Sequence, residues 1–426
     1  MNFILLEDRQ LISSLEEETR ALFRRLGLIK TGKVSRIHFC GVFVAEENTY
    51  VFLPRNTGQE ATDTPSAASL VLQVLNRYST SSENILTGSS EDNEDEPGLG
   101  LLSIILWLLK DYSTHGLFST SAKTREINKG KINWNRTVTK EAPLIGVGCS
   151  PVYSRLHTER IRYGEQSPVT LIHAEIIKQL DRSFCWAISG DGKVRIAPDL
   201  DIVSPSAMPQ ETKIFELRKE LSATYSDRQI KLLKALISFL DSDFEGAAGE
   251  YLIGVKAFEG VWEEMLRKIL PGVVNINKKL PKPALYLKNR KQPLLSKGMV
   301  TDIVAKNGNK VSVIDAKYYR GESIEDSPGW ADMVKQFFYA KSLSITMPDC
   351  DIANWFAFPG ITERIDGGPI STVAVVDTNT MMPLEDDYPP IGCSYFNPLD
   401  VMNKYCSTRK YSTEEVNVIF NRAATP

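Results

Sequence analysis

Asp302, Asp315 and Lys317 stand within the run 299–319, MVTDIVAKNGNKVSVIDAKYY, in two stretches otherwise rich in β-branched and small residues. Such stretches read as core strands, where a charge is costly to bury unless it is paired. Two carboxylates brought together there repel each other, and a divalent cation between them relieves the repulsion. Carboxylate oxygens favour a hard ion, so Mg²⁺ is the expected cofactor, with Mn²⁺ as its substitute. Such an ion polarises a phosphodiester and acidifies water. Lys317, two residues past the second carboxylate, could hold that water or offset charge in the transition state.

The elements around these residues are predicted to bring them together. Residues 299–305 and 310–319 each read as a strand, and KNGN between them carries Asn-Gly, a strong hairpin signal. With Lys306 facing Asn309, Asp302 falls opposite Val313 and Asp315 one diagonal step away, roughly 7–8 Å. Upstream, GVKAFEGVWEEMLRKIL reads as an amphipathic helix with Val255, Phe258, Trp262, Met265, Leu266 and Ile269 inward. At helical pitch Glu259 and Glu263 form an i, i+4 pair able to look into the site, while Glu264 is expected to face water. Downstream, WADMVKQFFYAKSL reads as a second amphipathic helix. A lone D-x-K carries little weight: Asp191-Gly-Lys193 is another, and reads as a turn.

Elsewhere, residues 8–26 look helical, IHFCGVFV and YVFLP read as a hairpin closed by Pro54, and 64–79 as a helix. Between Glu83 and Glu96 the chain has six acids and no base, the composition of a solvated linker. The apolar run around Trp107 is expected to be a buried helix, too short to span a bilayer. GKINWNRTV (130–138) is read as a turn feeding a strand that displays Trp134 and Arg136, and VTLIHAEIIKQL as a strand running into a helix. Ser226 with Gln229 resembles a capping box opening a helix. A junction is placed near 241–252, giving residues 1–240 as a recognition or partner-coupling region and 241–426 as a separate catalytic domain.

The chain has 426 residues and a formal charge of −3, so no global basic signature announces nucleic acid. A local one exists. From Met265 to Thr301 there is no acid, but Arg267, Lys268, Lys278, Lys279, Lys282, Lys288, Arg290, Lys291 and Lys297. Lying between the proposed acidic helix and hairpin, this tract is expected to hold phosphates, and Arg136 to contact bases or phosphates. Six scattered cysteines with no CxxC pair argue against a zinc ribbon or a disulfide framework, and four dispersed histidines against a metal cluster. MNFILLEDRQ lacks a basic n-region, so a cytoplasmic location without membrane association is expected. GLIKTGKV (27–34) nearly spells a phosphate-binding loop, but Val34 replaces the Ser or Thr that would hold Mg²⁺.

Helix glutamates, TDIV, then IDAK on adjacent strands resemble the PD-(D/E)xK nuclease superfamily, with Thr301 in place of the motif's proline. FEGVWEEML, IDAKYY, KQFFYA, FCGVFV, FLPR and GKINWNRTV are similar to segments of the LlaJI restriction endonucleases and their McrC-like relatives. The resemblance implies an α/β fold, a mixed sheet flanked by helices, preceded by an α+β N-terminal region. It implies that Asp302 and Asp315 bind metal, Lys317 is catalytic, Glu259 and Glu263 are acids near the metal, and Lys335 and Gln336 belong to the supporting helix, with Gln336 in the catalytic set. It further implies a Mg²⁺-dependent endonuclease subunit of a prokaryotic restriction or phage-defence system, acting on double-stranded DNA beside a separate McrB-like AAA+ GTPase or ATPase. Self-association is compatible with the sequence. The rival reading is a non-catalytic subunit that keeps the nuclease shape to grip DNA or an AAA+ ring.

Overall fold

The computed structural model describes residues 2–425 apart from 31, 33, 46–47, 58–63, 82–98, 130, 146–150, 165–166, 190–193, 203–206, 243–249, 289–291, 320, 322–326 and 361–368. The acidic stretch at 83–96, Asp191-Gly-Lys193, Arg290 and Lys291 therefore lie outside the described residues. The chain divides into two compact units, one of Met1–Ser103, Gly190–Gly192 and Phe244–Pro426, the other of Ile104–Ser189 and Lys193–Asp243.

The first unit opens with β1 (Asn2–Glu7), α1 (Glu17–Arg25), the short pair β2 (Ile29–Lys30) and β3 (Arg36–Ile37), then β4 (Cys40–Val44), β5 (Asn48–Leu53) and α2 (Thr64–Ser81). The expected β4–β5 hairpin and the helix after it are present. The helix predicted over 8–26 is shorter. A 3-10 turn at Ile12–Ser14 precedes α1, and β1, which residue pattern alone does not reveal, pairs in parallel with β5. Phe23 of α1 meets Tyr50 and Phe52 edge-on, at 5.4 and 5.2 Å between ring centres.

The second unit holds most of α3 (Leu99–His115), then β6 (Thr120–Ile127), β7 (Lys131–Ile132), α4 (Trp134–Lys140), β8 (Leu144–Ile145), β9 (Pro151–Val152), β10 (His157–Gly164), α5 (Pro168–Ser189), α6 (Gln210–Ala223) and α7 (Asp227–Asp241). β6 and β10 form an antiparallel ribbon with β7 on the other edge of β10. Two expectations fail here. Residues 134–140 are helical because the Asn133 side chain caps the turn, accepting from Arg136 N at 3.1 Å. VTLIHAEIIKQL is helical from its start, with Ser167 accepting from Thr170 N and Ile172, Ile176, Ile177, Leu180 and Phe184 buried at helical spacing. α7 forms as expected, though Ser226 makes no side-chain cap.

The chain then returns to the first unit through β11 (Tyr251–Val255), α8 (Glu259–Ile269), β12 (Ala284–Leu285), β13 (Leu294–Leu295), β14 (Ile303–Asn307), β15 (Lys310–Ala316), α9 (Trp330–Thr346), β16 (Asp351–Pro359), β17 (Thr372–Val373), β18 (Ile391–Phe396) and α10 (Pro398–Ser407). β11 completes the sheet β1-β5-β4-β11. Its Gly254 faces Gly41, and a Cβ on Gly41 would lie 2.2 Å from Ile253 O, so the strands meet only because both positions are glycine. This pairing crosses the expected division at 240/241 and joins both ends of the chain in one unit. The other large sheet runs β14-β15-β16-β18-β17, with parallel pairs β15–β16 and β16–β18 and antiparallel edges. α9 is the crossover between β15 and β16, as parallel strands require.

Candidate active site

Alternation along β15 sets one face of the site. Val311 and Val313 pack with Leu343 of α9, so Asp315, two residues further along, projects on the same side. The hairpin register differs from expectation. Asn307 pairs with Lys310 and Ile303 with Ile314, so the turn is Gly308-Asn309, with Gly308 at φ +62°. Asn-Gly signals the turn but leaves its centre open by one residue; here glycine takes the first turn position, where positive φ is needed. One step past Ile303↔Ile314, Asp302 comes opposite Asp315 rather than diagonal to it.

Asp302 Oδ2 accepts from Ala316 N at 3.1 Å. Burial and the neighbouring Asp302 carboxylate push the Asp315 carboxyl up to about 7 against the pull of Lys317. Lys317 Nζ lies 2.7 Å from Asp315 Oδ2 and 2.7 Å from Asp332 Oδ1. Burial draws Lys317 down, but Asp315 and Asp332 outweigh it and hold its pKa above the ordinary lysine value, so it is an ammonium at neutral pH. Asp332, in the first turn of α9, also accepts from Gly329 N at 3.3 Å. It was not among the residues expected from sequence. An acid at the third position of the helix that follows D-x-K is the signal that could have found it.

Thr301 stands where the sequence resemblance expects a proline. It is buried, and its N–H and hydroxyl both donate to Asn277 Oδ1, at 3.0 and 2.7 Å, while Asn277 Nδ2 donates to Thr301 O at 3.1 Å. Proline has no N–H for this clamp, which fixes the backbone one residue before Asp302. On the far side, Arg55 of the FLPR run donates from its N–H to Tyr318 Oη and from Nη1 to Tyr318 O, each at 3.0 Å.

The helix acids do not join the aspartates. Glu259 pairs with Arg9 at 2.8 Å, and Glu263 with Arg267, which also donates to Asp302 O at 3.2 Å. Among the described residues no group of three or more His, Cys, Asp or Glu side chains could hold a metal ion. Glu264, expected to face water, is only 15 % exposed and pairs with Arg267 and Lys268 one turn on, and α10 packs against α8. The acid-free tract therefore loses Arg267 and Lys268 to acids one helical turn upstream.

Lys278, Lys279, Lys282, Lys288 and Lys297 are exposed, as is Lys335 on α9. Gln336 is fully buried, and its Nε2 donates to Trp355 O at 2.8 Å, fastening α9 to β16. Arg136 belongs to the other unit, where neighbouring Trp134 is 56 % exposed rather than core and lies edge-on to Tyr153. Among the described residues no disulfide forms, and no helix is long and apolar enough to cross a membrane.

The model of the LlaJI restriction endonuclease family matches residues 39–367, which include the hairpin, the D-x-K strand and α9. The chain belongs to the LlaJI restriction endonuclease family. A relative of this LlaJI-family chain, the type II restriction enzyme BsuMI component YdjA of Bacillus subtilis (strain 168), is 24% identical over 302 residues, covering 68% of this chain and 62% of the relative. The chain thus spans less than two thirds of that protein's length. Among solved structures it is similar to one of Thermococcus gammatolerans McrB AAA+ hexamers with bound McrC, at a TM-score of 0.44 and 11% identity, covering 98% of this chain and 100% of that one.

Proposed function

We propose that this LlaJI-family chain is the DNA-cutting subunit of a prokaryotic restriction system, a Mg²⁺-dependent endonuclease with a PD-(D/E)xK centre in its β14–β18 sheet. The observation that carries the reading is the meeting of Asp302 and Asp315 beside the ammonium of Lys317. The donor set suits a hard cation. It is carboxylate oxygen only, and two carboxylates with water and phosphate complete the shell that Mg²⁺ prefers. Burial and the Asp302 carboxylate hold the Asp315 carboxyl above the ordinary aspartate range, and a divalent cation would offset the repulsion between the two.

Asp302 and Asp315 would hold the ion, which when bound supplies Lewis acidity at the scissile phosphate. Lys317 stays charged and so cannot act as the base; it orients the attacking water by hydrogen bond and offsets negative charge on the phosphorane-like transition state. Asp332 anchors the ammonium from the opposite side. Glu259 and Glu263 hold Arg9 and Arg267 around the site, and Gln336 fixes the helix that presents Asp332. Exposed Lys278, Lys279, Lys288, Lys297 and Lys335 would receive the phosphate backbone. The product expected is a 5′-phosphate on the cut strand. An McrB-type AAA+ partner is proposed from the sequence resemblance, in keeping with the defective phosphate-binding loop at 27–34.

The test is cleavage of unmethylated plasmid DNA with Mg²⁺, with and without an AAA+ partner. Asp315→Ala is expected to lower the rate by about 10³-fold or more. Undiminished cutting refutes the assignment.

A further inference from the structure

On either side of residues 289–291, residues 281–288 and 292–300 leave the packed core as a two-stranded arm, with Ala284 opposite Leu295 and Leu285 opposite Leu294, closed at its root by Ser296 N donating to Pro283 O at 2.9 Å. The arm displays apolar groups in quantity: Leu285 is 57%, Tyr286 81%, Leu287 51% and Leu295 70% exposed. A lone two-stranded ribbon is marginal in water, and this much displayed apolar surface marks a face meant to be covered.

The arm's charge narrows what covers it. No acid occurs from Met265 to Thr301, and Lys282, Lys288 and Lys297 stand exposed around the leucines, with Lys278 and Lys279 at the base. A like-charged row of ammonium groups repels a basic partner surface, gains nothing from a neutral one and attracts a polyanion. Lysines flanking a tyrosine and leucines are the chemistry of a side chain pressed between base steps while the backbone phosphates are held on either side. The arm's position agrees. Thr301, clamped on Asn277, is both the end of the arm and the residue before Asp302. From Leu295 to Asp302 is seven residues, at most roughly 25 Å of extended chain.

We propose that the β12–β13 arm is a wedge that inserts Tyr286 and its neighbouring leucines into the minor groove of duplex DNA, unstacking a base step beside the phosphate presented to Asp302 and Asp315. This rests on the reading of the substrate as duplex DNA. Arm lysines hold the two backbones, and Tyr286 with Leu285 and Leu287 deforms the step, so that a phosphate is turned toward the carboxylates. The wedge also makes pyrimidine–purine steps, which unstack most easily, the favoured places to bind.

The test uses the full chain carrying Asp315→Asn, so that binding is read without cutting, on duplexes with 2-aminopurine at successive positions. The arm intact should bind duplex and raise 2-aminopurine fluorescence at one or two positions. Leu285→Ser with Tyr286→Ala should lose that signal and about 10-fold in affinity, with the slope of log K against log salt unchanged. Lys282→Ala with Lys297→Ala should instead reduce that slope by about 0.9 for each phosphate left without its ammonium partner. An unchanged fluorescence signal and affinity in the apolar variant overturns the wedge while leaving the nuclease reading standing. So does a dimer of the parent protein that the apolar variant converts to monomer, since the arm would then be covered by a second copy. If the parent protein binds no duplex at any salt, the wedge and the DNA reading fall together. A wild-type protein that shows the wedge signal yet never cuts removes the nuclease reading alone.

Discussion

Asp181 and Asp315 are both buried aspartates, one in each unit, and they differ in what surrounds them. Asp181 receives Arg195 Nε at 2.9 Å, Ile196 N at 2.8 Å and Ala197 N at 3.1 Å, so each oxygen has donors and the charge has a partner. Asp315 has a lysine on one side but a second carboxylate on the other, and its carboxyl is pushed up to about 7. The first arrangement is a finished structural tie between α5 and the loop after it. The second sets two carboxylates against one ammonium, so a like charge remains beside Asp315 that Lys317 offsets only in part. Burial of an acid therefore does not distinguish a site from a scaffold; the neighbour of like charge does.

That contrast can be attacked from both ends. Asp181→Ala should cost about 3 kcal/mol of stability, because it strands the backbone N–H groups of Ile196 and Ala197 and leaves Arg195 to Asp201 alone. Hydrogen exchange in α5 and in residues 195–202 should quicken, while cleavage at the other unit's site is unchanged. If Asp181→Ala is neutral, the supposed tie is no tie.

The second unit should also be the acid-sensitive one. His173 is buried with its Nδ1 accepting from Phe118 N at 3.0 Å, and burial holds its pKa down to about 4. The folded state therefore binds fewer protons than the unfolded state between about pH 6.5 and 4. Stability from this group is full above 6.5 and is lost as pH falls toward 4, by about 3 kcal/mol. Exchange protection around Phe118 should fall over that window, and a flat profile would show that His173 is charged in the fold.

Asp332→Asn should have a smaller effect, because the amide oxygen can still accept from Lys317 while the charge and the acceptor for Gly329 N are lost. Cleavage is expected to fall about 10-fold, with the alkaline limb of the pH–rate profile moving to lower pH as Lys317 becomes easier to deprotonate. A lower rate with an unmoved alkaline limb would reduce Asp332 to a helix cap.

Much of this contrast was legible from residue order. Asn-Gly between two aliphatic runs, D-x-K at the end of the second, and amphipathic helices on either side place Asp302, Asp315 and Lys317 without any long-range information. What lay beyond reach was non-local. The pairing of β11 with β4 across about two hundred residues is visible in the sequence only as two glycines, Gly41 and Gly254, with no pattern linking them. Arg9 reaching Glu259 is likewise a contact between distant segments, so the helix acids looked free when they are engaged. The strand expected at Trp134 and the one expected at Val169 failed for a local reason. β-branched residues weigh toward strand, and side-chain caps at Asn133 and Ser167 overrode them.

The most direct measurement is titration of the full-length protein with Mn²⁺ at neutral pH, followed by electron paramagnetic resonance with Mg²⁺ as competitor. Mn²⁺ is expected to be held by the wild-type chain, displaced by Mg²⁺, and lost in both Asp302→Asn and Asp315→Asn. Equal retention of Mn²⁺ by wild type and both variants would mean that these two carboxylates hold no ion.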